Sequence, residues 1–278
     1  MALYITSLNS GSNGNCYYVG NDDEAVLVDA GISCRETEKR MKRLGLPMTR
    51  VKAIFVSHEH GDHITGVAGL SKKFQLPVYI TKATHTAAAI PIANELLHDF
   101  THEQVAAIGK LRITAFTKCH DACDPHSFFI SDGDVNVGVF TDIGNACDNI
   151  IRYFKKCHAV FLESNYCEDM LMKGSYPWHL KKRISGGEGH LSNRQALDLF
   201  LQYKGAQLSH LILSHLSKNN NSPELVERIF TEKSGDVKIT IAPRYNETPV
   251  LRIEPVTIKS SIFEKRVVIT SPQQLSLF

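Results

Sequence analysis

An α/β fold (α+β by a stricter convention), with two mixed sheets sandwiched between helices, is what this sequence predicts. Three observations carry the expectation. Short apolar runs recur between polar loops, amphipathic stretches of helical period alternate with them, and the opening runs follow one another at hairpin spacing.

In chain order, strands are expected at residues 4–8, 16–19 and 25–29, each ending at turn-forming residues. A helix at 34–44 leads to a strand at 53–57. A helix at 66–74 leads to a strand at 78–81, and a further helix spans 84–97. Strands at 111–116, 127–131 and 135–141 precede a regular alternation: helix 149–156 and strand 159–163, helix 193–203 and strand 210–214, helix 223–231 and strand 238–242. Ser192 stands before the first residue of one helix, and Ser222 stands before Pro223, a proline at a first helical position. No repeat, low-complexity tract or long linker divides the chain, so residues 1–258 read as one domain and 259–278 as a C-terminal extension. That extension holds one further candidate strand at 266–270, followed by Pro272.

Composition narrows the function classes. The 278 residues are 43% hydrophobic and 22% charged, ordinary values for a soluble domain. Residues 1–15 lack a basic start followed by an apolar stretch, and no run has the length of a membrane span, so a cytoplasmic protein without a membrane partner is expected. Seven scattered cysteines without a CxxC pair argue against a disulfide framework or a four-thiolate zinc site, and read as reduced thiols, mostly in the core. With 31 basic against 29 acidic residues the net charge is +2, so any grip on nucleic acid has to be local. Thirteen histidines exceed what packing asks for and point toward metal chemistry.

Immediately after the strand at 53–57 comes His-Glu-His-Gly-Asp-His, which sets His58, His60, Asp62 and His63 within six residues. A strand end followed by a tight turn at Gly61 lets these side chains converge. Imidazole and carboxylate groups are ligands for zinc, manganese or iron, and this spacing can divide them between two ions. The competing reading is a polar surface loop. The HxHxDH pattern resembles the signature of the metallo-β-lactamase superfamily, which implies a four-layer αββα sandwich, two divalent metal ions and three further ligands at later strand ends. His120 follows the strand at 111–116, Asp142 the strand at 135–141, and His215 the strand at 210–214. In the family pattern His58, His60 and His120 hold one ion, Asp62, His63 and His215 the other, and Asp142 bridges. Asp29 matches a supporting aspartate that orients the histidine loop. A structural zinc knot of Cys119, His120, Cys123 and His126 is the rival, weakened by the three-residue gap between its cysteines. His190 shares a His-Leu-Ser tripeptide with His215, but only His215 directly follows an apolar strand.

Two ions about 3.5 to 4 Å apart suit hydrolysis, and a leaving alkoxide then needs a proton. His190, in a glycine-rich loop before a helix, and Glu163, closing the strand at 159–163, are the candidate acid and its orienting carboxylate. With Asp62 they make up the candidate catalytic set. A strand-end glutamate and a downstream histidine resemble the tRNA-maturing RNase Z group. The segments Ser-Gly-Ser-Asn-Gly-Asn at 10–15, Phe-Leu-Glu-Ser-Asn at 161–165 and Gly-His-Leu-Ser-Asn at 189–193 resemble more closely the YycJ/WalJ branch of the superfamily. That resemblance covers most of residues 1–255 and implies a 5′ to 3′ DNA exonuclease linked to mismatch repair. A thioester or small-molecule hydrolase, an RNase, and a regulatory protein with structural metals are the alternatives.

Trp178, Lys182 and Arg183 lie in a long connection, residues 166–189. They could stack on bases and pair with phosphates, or Trp178 could pack on the core with the charges in water. Ser12, Asn13 and Asn15, in the glycine-rich opening, are candidate phosphate contacts. Lys39, Arg40, Lys42 and Arg43 read as a solvated helix face. Residues 274–278, Gln-Leu-Ser-Leu-Phe, follow a proline and two glutamines and resemble the peptide by which bacterial polymerases and repair proteins bind the sliding clamp. The implied anchors are Gln274, Leu275, Leu277 and Phe278; the alternative is a segment folded back on the body.

Overall fold

A computed structural model describes residues 2–255. The 259–278 extension, with the strand expected at 266–270 and the clamp-type peptide, lies outside the described residues. The chain opens with β1 (Leu3–Asn9), β2 (Cys16–Gly20), β3 (Ala25–Val28), α1 (Cys34–Arg43), β4 (Val51–Phe55), α2 (Gly61–Ile64), α3 (Val67–Phe74), β5 (Val78–Tyr79), α4 (Lys82–Ala88) and β6 (Leu97–His98). It continues through β7 (Val105–Ile108), β8 (Leu111–Thr117), β9 (His126–Ser131), β10 (Asn136–Phe140), α5 (Asp148–Phe154), β11 (Ala159–Glu163), α6 (Glu168–Lys173), α7 (Trp178–Ser185) and α8 (Asn193–Tyr203). β12 (His210–Ser214), α9 (Pro223–Thr231), β13 (Lys238–Ile241) and β14 (Leu251–Ile253) complete it.

The described strands form two seven-stranded sheets, ordered β14-β1-β2-β3-β4-β5-β6 and β13-β12-β11-β10-β9-β8-β7. Side-chain alternation assigns each strand's two faces to different layers. In β11, Ala159 and Phe161 join the core between the sheets, whereas Val160 and Leu162 pack under α5, α8 and α9. In β3, Val26 and Val28 face the other sheet, and Ala25 and Leu27 lie under α1 and α3. Three apolar cores thus separate four layers, helix, sheet, sheet and helix, as expected.

All eleven strands expected within the described residues form, with ends shifted by up to two residues. The helix expected at 84–97 stops at Ala88. Ala89 turns left-handed with φ 49°, and Pro91 disfavours helical backbone at Ile90, so the chain leaves the helix and enters β6. Missed were the short edge strands β6, β7 and β14 and the short helices α2, α6 and α7, whose few residues present too little periodicity to read.

Arg40 corrects the reading of α1 as a solvated face. It is 7% exposed, and its guanidinium donates to Leu8 O at 2.7 Å, Asn9 Oδ1 at 2.7 Å and Tyr245 O at 2.9 Å. The seven cysteines are free thiols, but only Cys16 and Cys157 are buried. Trp178 is 62% exposed and does not pack on the core. No helix among the described residues is long and apolar enough to cross a membrane.

Candidate metal centre

The site lies along one edge of the sandwich, where strand ends of both sheets meet. β10, β11, β12 and β13 run parallel, and β8 runs the same way two antiparallel steps away, so their C-terminal ends share one edge. From these ends come His120, Asp142, Glu163 and His215. The loop after β4 and the short helix α2 bring His58, His60, Asp62 and His63 to meet them. Asp29, Asp142 and His215, each just past a strand, have φ values of 60°, 53° and 58°. Left-handed backbone at such residues costs about 1 kcal/mol or more each, a strain that the packed strand ends impose and that turns each side chain into the site. Gly31 permits the closest approach of backbone here: a Cβ on it would lie 1.6 Å from Asp62 O. Asn15 N, which donates to Asp62 O at 2.7 Å, fixes the same turn.

The potential ligand atoms converge in the groups the sequence suggests. His58, His60 and His120 form one cluster with all ligand atoms within 4.8 Å of one another, and Asp62, His63 and His215 form a second. Asp142 lies between them, with Oδ2 3.2 Å from His63 Nε2, and Oδ1 3.3 Å from His215 Nδ1 and 3.9 Å from His120 Nε2. Ring orientation is set from behind. Asp29 Oδ2 is 2.7 Å from His63 Nδ1 and accepts from Ser57 Oγ at 2.8 Å, and Ser57 Oγ is 2.8 Å from His58 Nδ1. Gly189 O accepts from His120 Nδ1 at 3.0 Å, and Glu163 Oε1 stands 2.8 Å from His215 Nδ1. The atoms left facing inward, His120 Nε2, His215 Nε2 and Asp142 Oδ2, are buried and lack a hydrogen bond among the described residues, their neighbours being other groups of ligating type. Buried polar atoms are rarely left so. Three of them, one in each cluster and one on the Asp142 between, all of metal-ligating type, fit divalent cations. Neither cysteine of the rival zinc knot joins a ligating group among the described residues.

Electrostatics divide the imidazoles. Burial pushes His58 well below the ordinary histidine range and His120 down to about 4, so both are neutral near pH 7 and offer a free lone pair. Burial acts in the same sense on His63 and His215, but Asp142 and the other carboxylates around them outweigh it and raise His215 to about 10 and His63 well above its ordinary value. Burial would raise Glu163, yet His190 and His215 beside it hold it at about 2. Lys118, fully enclosed and donating to Thr141 O at 2.7 Å, is lowered by burial.

His190 Nδ1 lies 2.8 Å from Glu163 Oε1, and its ring is 22% exposed at the wall of a cavity of about 420 Å³. Ser12, Tyr176 and Arg183 line the same cavity. Arg183 Nε donates to Asp121, which also faces the cavity. Lys182 and Trp178, on the same helix, are not among its lining residues. Asn15, expected to face substrate, is instead fully buried, its Nδ2 3.1 Å from Asp62 Oδ2 and 3.0 Å from His63 Nε2. It therefore holds the ligand pair. Asn13 is turned to Arg244, donating to its carbonyl at 2.8 Å. Sequence reading missed Ser57 and Asn165, which donates to His215 O at 2.8 Å; the only signal was their position at strand ends beside the named residues.

Comparison with known proteins agrees with this geometry. A family model described as the beta-lactamase superfamily domain matches residues 24–216. The exodeoxyribonuclease YycJ of Bacillus anthracis is 35% identical over 246 residues, which cover 85% of this chain and 92% of that protein. WalJ, an exodeoxyribonuclease of Streptococcus pneumoniae, is 30% identical over 223 residues, covering 78% and 83%. Among solved structures, the metallo-beta-lactamase fold protein YhfI of Bacillus subtilis superposes with a TM-score of 0.70 at 19% identity, over 91% of this chain and all of that one, which supports the fold. The chain belongs to the metallo-β-lactamase superfamily, in the branch of the YycJ and WalJ proteins.

Proposed function

We propose that this protein is a dinuclear metal-dependent phosphodiesterase that degrades DNA as a 5′ to 3′ exonuclease in mismatch repair. The observation that carries the reading is the pair of ligand clusters about Asp142, with three buried ligating atoms that lack a hydrogen bond among the described residues. His58, His60 and His120 would hold one ion, Asp62, His63 and His215 the other, with Asp142 between them. Zinc, manganese and iron all suit this nitrogen and oxygen set. Two such ions, when bound, supply an acidified water and positive charge for the phosphoryl oxygens.

The chain's own groups do the rest. Glu163 orients His190 at the cavity wall, so His190 is placed to give a proton to the leaving alkoxide. Asp62, a ligand on the cavity side, is drawn below the ordinary carboxylate range to about 2: burial opposes its ionisation and His63 overrides it. It is therefore ionised at working pH and can steer the attacking water. Arg183 reaches the cavity and is suited to a substrate phosphate; Trp178 and Lys182, exposed on the same helix, are suited to the strand that leaves it.

DNA as substrate follows from the two exodeoxyribonuclease relatives, each matched over most of its length. Purified protein with Mn²⁺ or Zn²⁺, given end-labelled duplex and single-stranded DNA beside thioester and lactam substrates, tests it. Mononucleotides released progressively from 5′ ends are expected. Turnover of a thioester or lactam with intact DNA would overturn the reading.

Residues 259–278 form, on this reading, an extension of the 1–258 hydrolase domain that docks the bacterial sliding clamp through Gln274, Leu275, Leu277 and Phe278. A weak tether of this kind raises the local concentration of nuclease on DNA, which suits a net charge of only +2. Deletion of residues 275–278 is expected to abolish clamp binding and leave cleavage of short DNA intact. Undiminished clamp binding would remove the tether.

A further inference from the structure

The row of strand ends that builds the centre runs one strand further than the residues assigned to it. In register, Phe140 of β10 pairs with Leu162, Leu162 with Leu213, and Leu213 with Ile241 of β13. Asp142, Glu163 and His215 lie two, one and two residues beyond those positions in β10, β11 and β12, and Arg244 lies three beyond Ile241, in the segment that leaves β13, the next strand along. Neighbouring parallel strands lie about 4.8 Å apart, and ligands of parallel sheets bind beyond their carboxyl ends.

Arg244 is held for a purpose its own surroundings do not use. Nη2 donates to Ser12 Oγ at 2.7 Å and Nη1 to Asn13 Oδ1 at 3.0 Å, both neutral acceptors, and no carboxylate among the described residues forms an ion pair with it. Ser12 also lines the catalytic cavity, so the guanidinium, itself outside the lining, is hydrogen-bonded to a residue of that cavity's wall. The turn carrying Ser12 is docked on the same edge, Ser10 Oγ accepting from His215 N at 2.7 Å. Gly11, with φ 111°, makes room: a Cβ there would stand 2.6 Å from Arg244 Nη1. Buried Arg40 pins the following residue through Tyr245 O. A preorganised cation without a counter-ion among the described residues, beside a site that takes a polyanion, is a place for one of that polyanion's charges.

We infer that Arg244, with Ser12 and Asn13, forms a subsite for a non-scissile phosphate of the DNA strand. The inference rests on the nuclease reading. Full-length protein, Arg244→Gln and Arg244→Lys are compared with Mn²⁺ on end-labelled single-stranded DNA over a range of salt concentrations. Arg244→Gln is expected to raise KM about tenfold, with kcat changed far less, and to flatten the slope of log(kcat/KM) against log[salt] by about 0.7, the value for one lost phosphate contact. Arg244→Lys keeps the charge and hence the slope. An unchanged KM and slope in Arg244→Gln overturns the subsite and leaves the nuclease reading standing. Equal loss of kcat in both variants at unchanged KM assigns Arg244 to bracing the Ser12 turn and also overturns it. A parent that cuts no DNA overturns the nuclease reading, and the subsite with it.

Discussion

Glu163 Oε1 stands 2.8 Å from Nδ1 of His190 and Oε2 accepts from two backbone amides, Ile143 N at 2.7 Å and Leu191 N at 3.2 Å. The carboxylate is fully buried and is fixed at both oxygens, so the imidazole it holds has one orientation available, with the other ring nitrogen free for the cavity.

Removing that imidazole takes no member from the His58, His60 and His120 cluster or from the Asp62, His63 and His215 cluster. His190→Ala is expected to lower kcat by about 10² to 10⁴, the usual contribution of a positioned acid, with metal content unchanged. Glu163→Gln should lose activity and also weaken metal binding, because the same oxygen orients His215. Single-turnover rates together with metal analysis check both. A His190→Ala protein that lost its metals would remove the division of labour.

Asp142 carries a backbone strain as well as a charge. Asparagine tolerates its φ of 53° nearly as well as aspartate, whereas alanine does not. Asp142→Asn and Asp142→Ala should each weaken metal affinity by about 100-fold or more. The alanine variant should in addition melt about 2 to 4 °C below the asparagine variant in chelator, from about 1 kcal/mol of added strain. Equal melting temperatures would show that the strand end does not impose the left-handed turn.

How much of this was legible in the residues differs by feature. The Ala-Ile-Phe-Val run followed by His58 to His63 gave both a strand and its ligands, because a buried strand must end in polar residues somewhere and here it ends in metal-ligating ones. Glu163 and His190 sit 27 residues apart in the chain, and only the strand-end position of one and the glycine-rich loop of the other pointed to them. Arg40 was unreadable: α1 has a basic exterior by its pattern, and the acceptors that bury Arg40 come from Leu8, Asn9 and Tyr245, up to 205 residues away. Asn15 was misread for the same reason. Its glycine-rich surroundings look like an open turn until Asp62 closes over them.

Metal uptake should release protons. In the metal-free protein His215 is raised to about 10 and His63 well above its ordinary value, chiefly by Asp142 against the effect of burial, so both carry a proton at pH 7. Such raised histidines stabilise the metal-free fold fully below their unfolded value near 6.5, and that contribution fades as pH climbs through about 10. A cation takes their place between the carboxylates, and the two imidazoles must lose their protons to bind it. Titration calorimetry at pH 7 in buffers of different ionisation enthalpy should report release of between one and two protons, with affinity rising between pH 6.5 and 9. Metal binding without proton release would mean that the imidazoles are already neutral.

Arg40 ties α1 to the turn after β1 and to the segment that carries Arg244. Besides Glu36, which pairs with its Nε at 2.9 Å, its partners are the buried Leu8 O and Asn9 Oδ1 and the part-buried Tyr245 O, so truncation leaves acceptors unsatisfied as well as removing an ion pair. Arg40→Ala should destabilise the protein by about 3 kcal/mol, which at this size lowers the melting temperature by about 6 to 12 °C. Lys39→Ala, one residue away with its side chain 61% exposed, should change it by less than about 0.5 kcal/mol. The contrast separates burial from charge, since both substitutions remove one positive charge from the same helix. Because Arg40 holds Tyr245 O and leaves every metal-ligating side chain untouched, the surviving folded fraction of Arg40→Ala should retain its metals and lose affinity for DNA more than turnover. A variant that melts with the parent would place the anchoring of the 244–245 segment elsewhere.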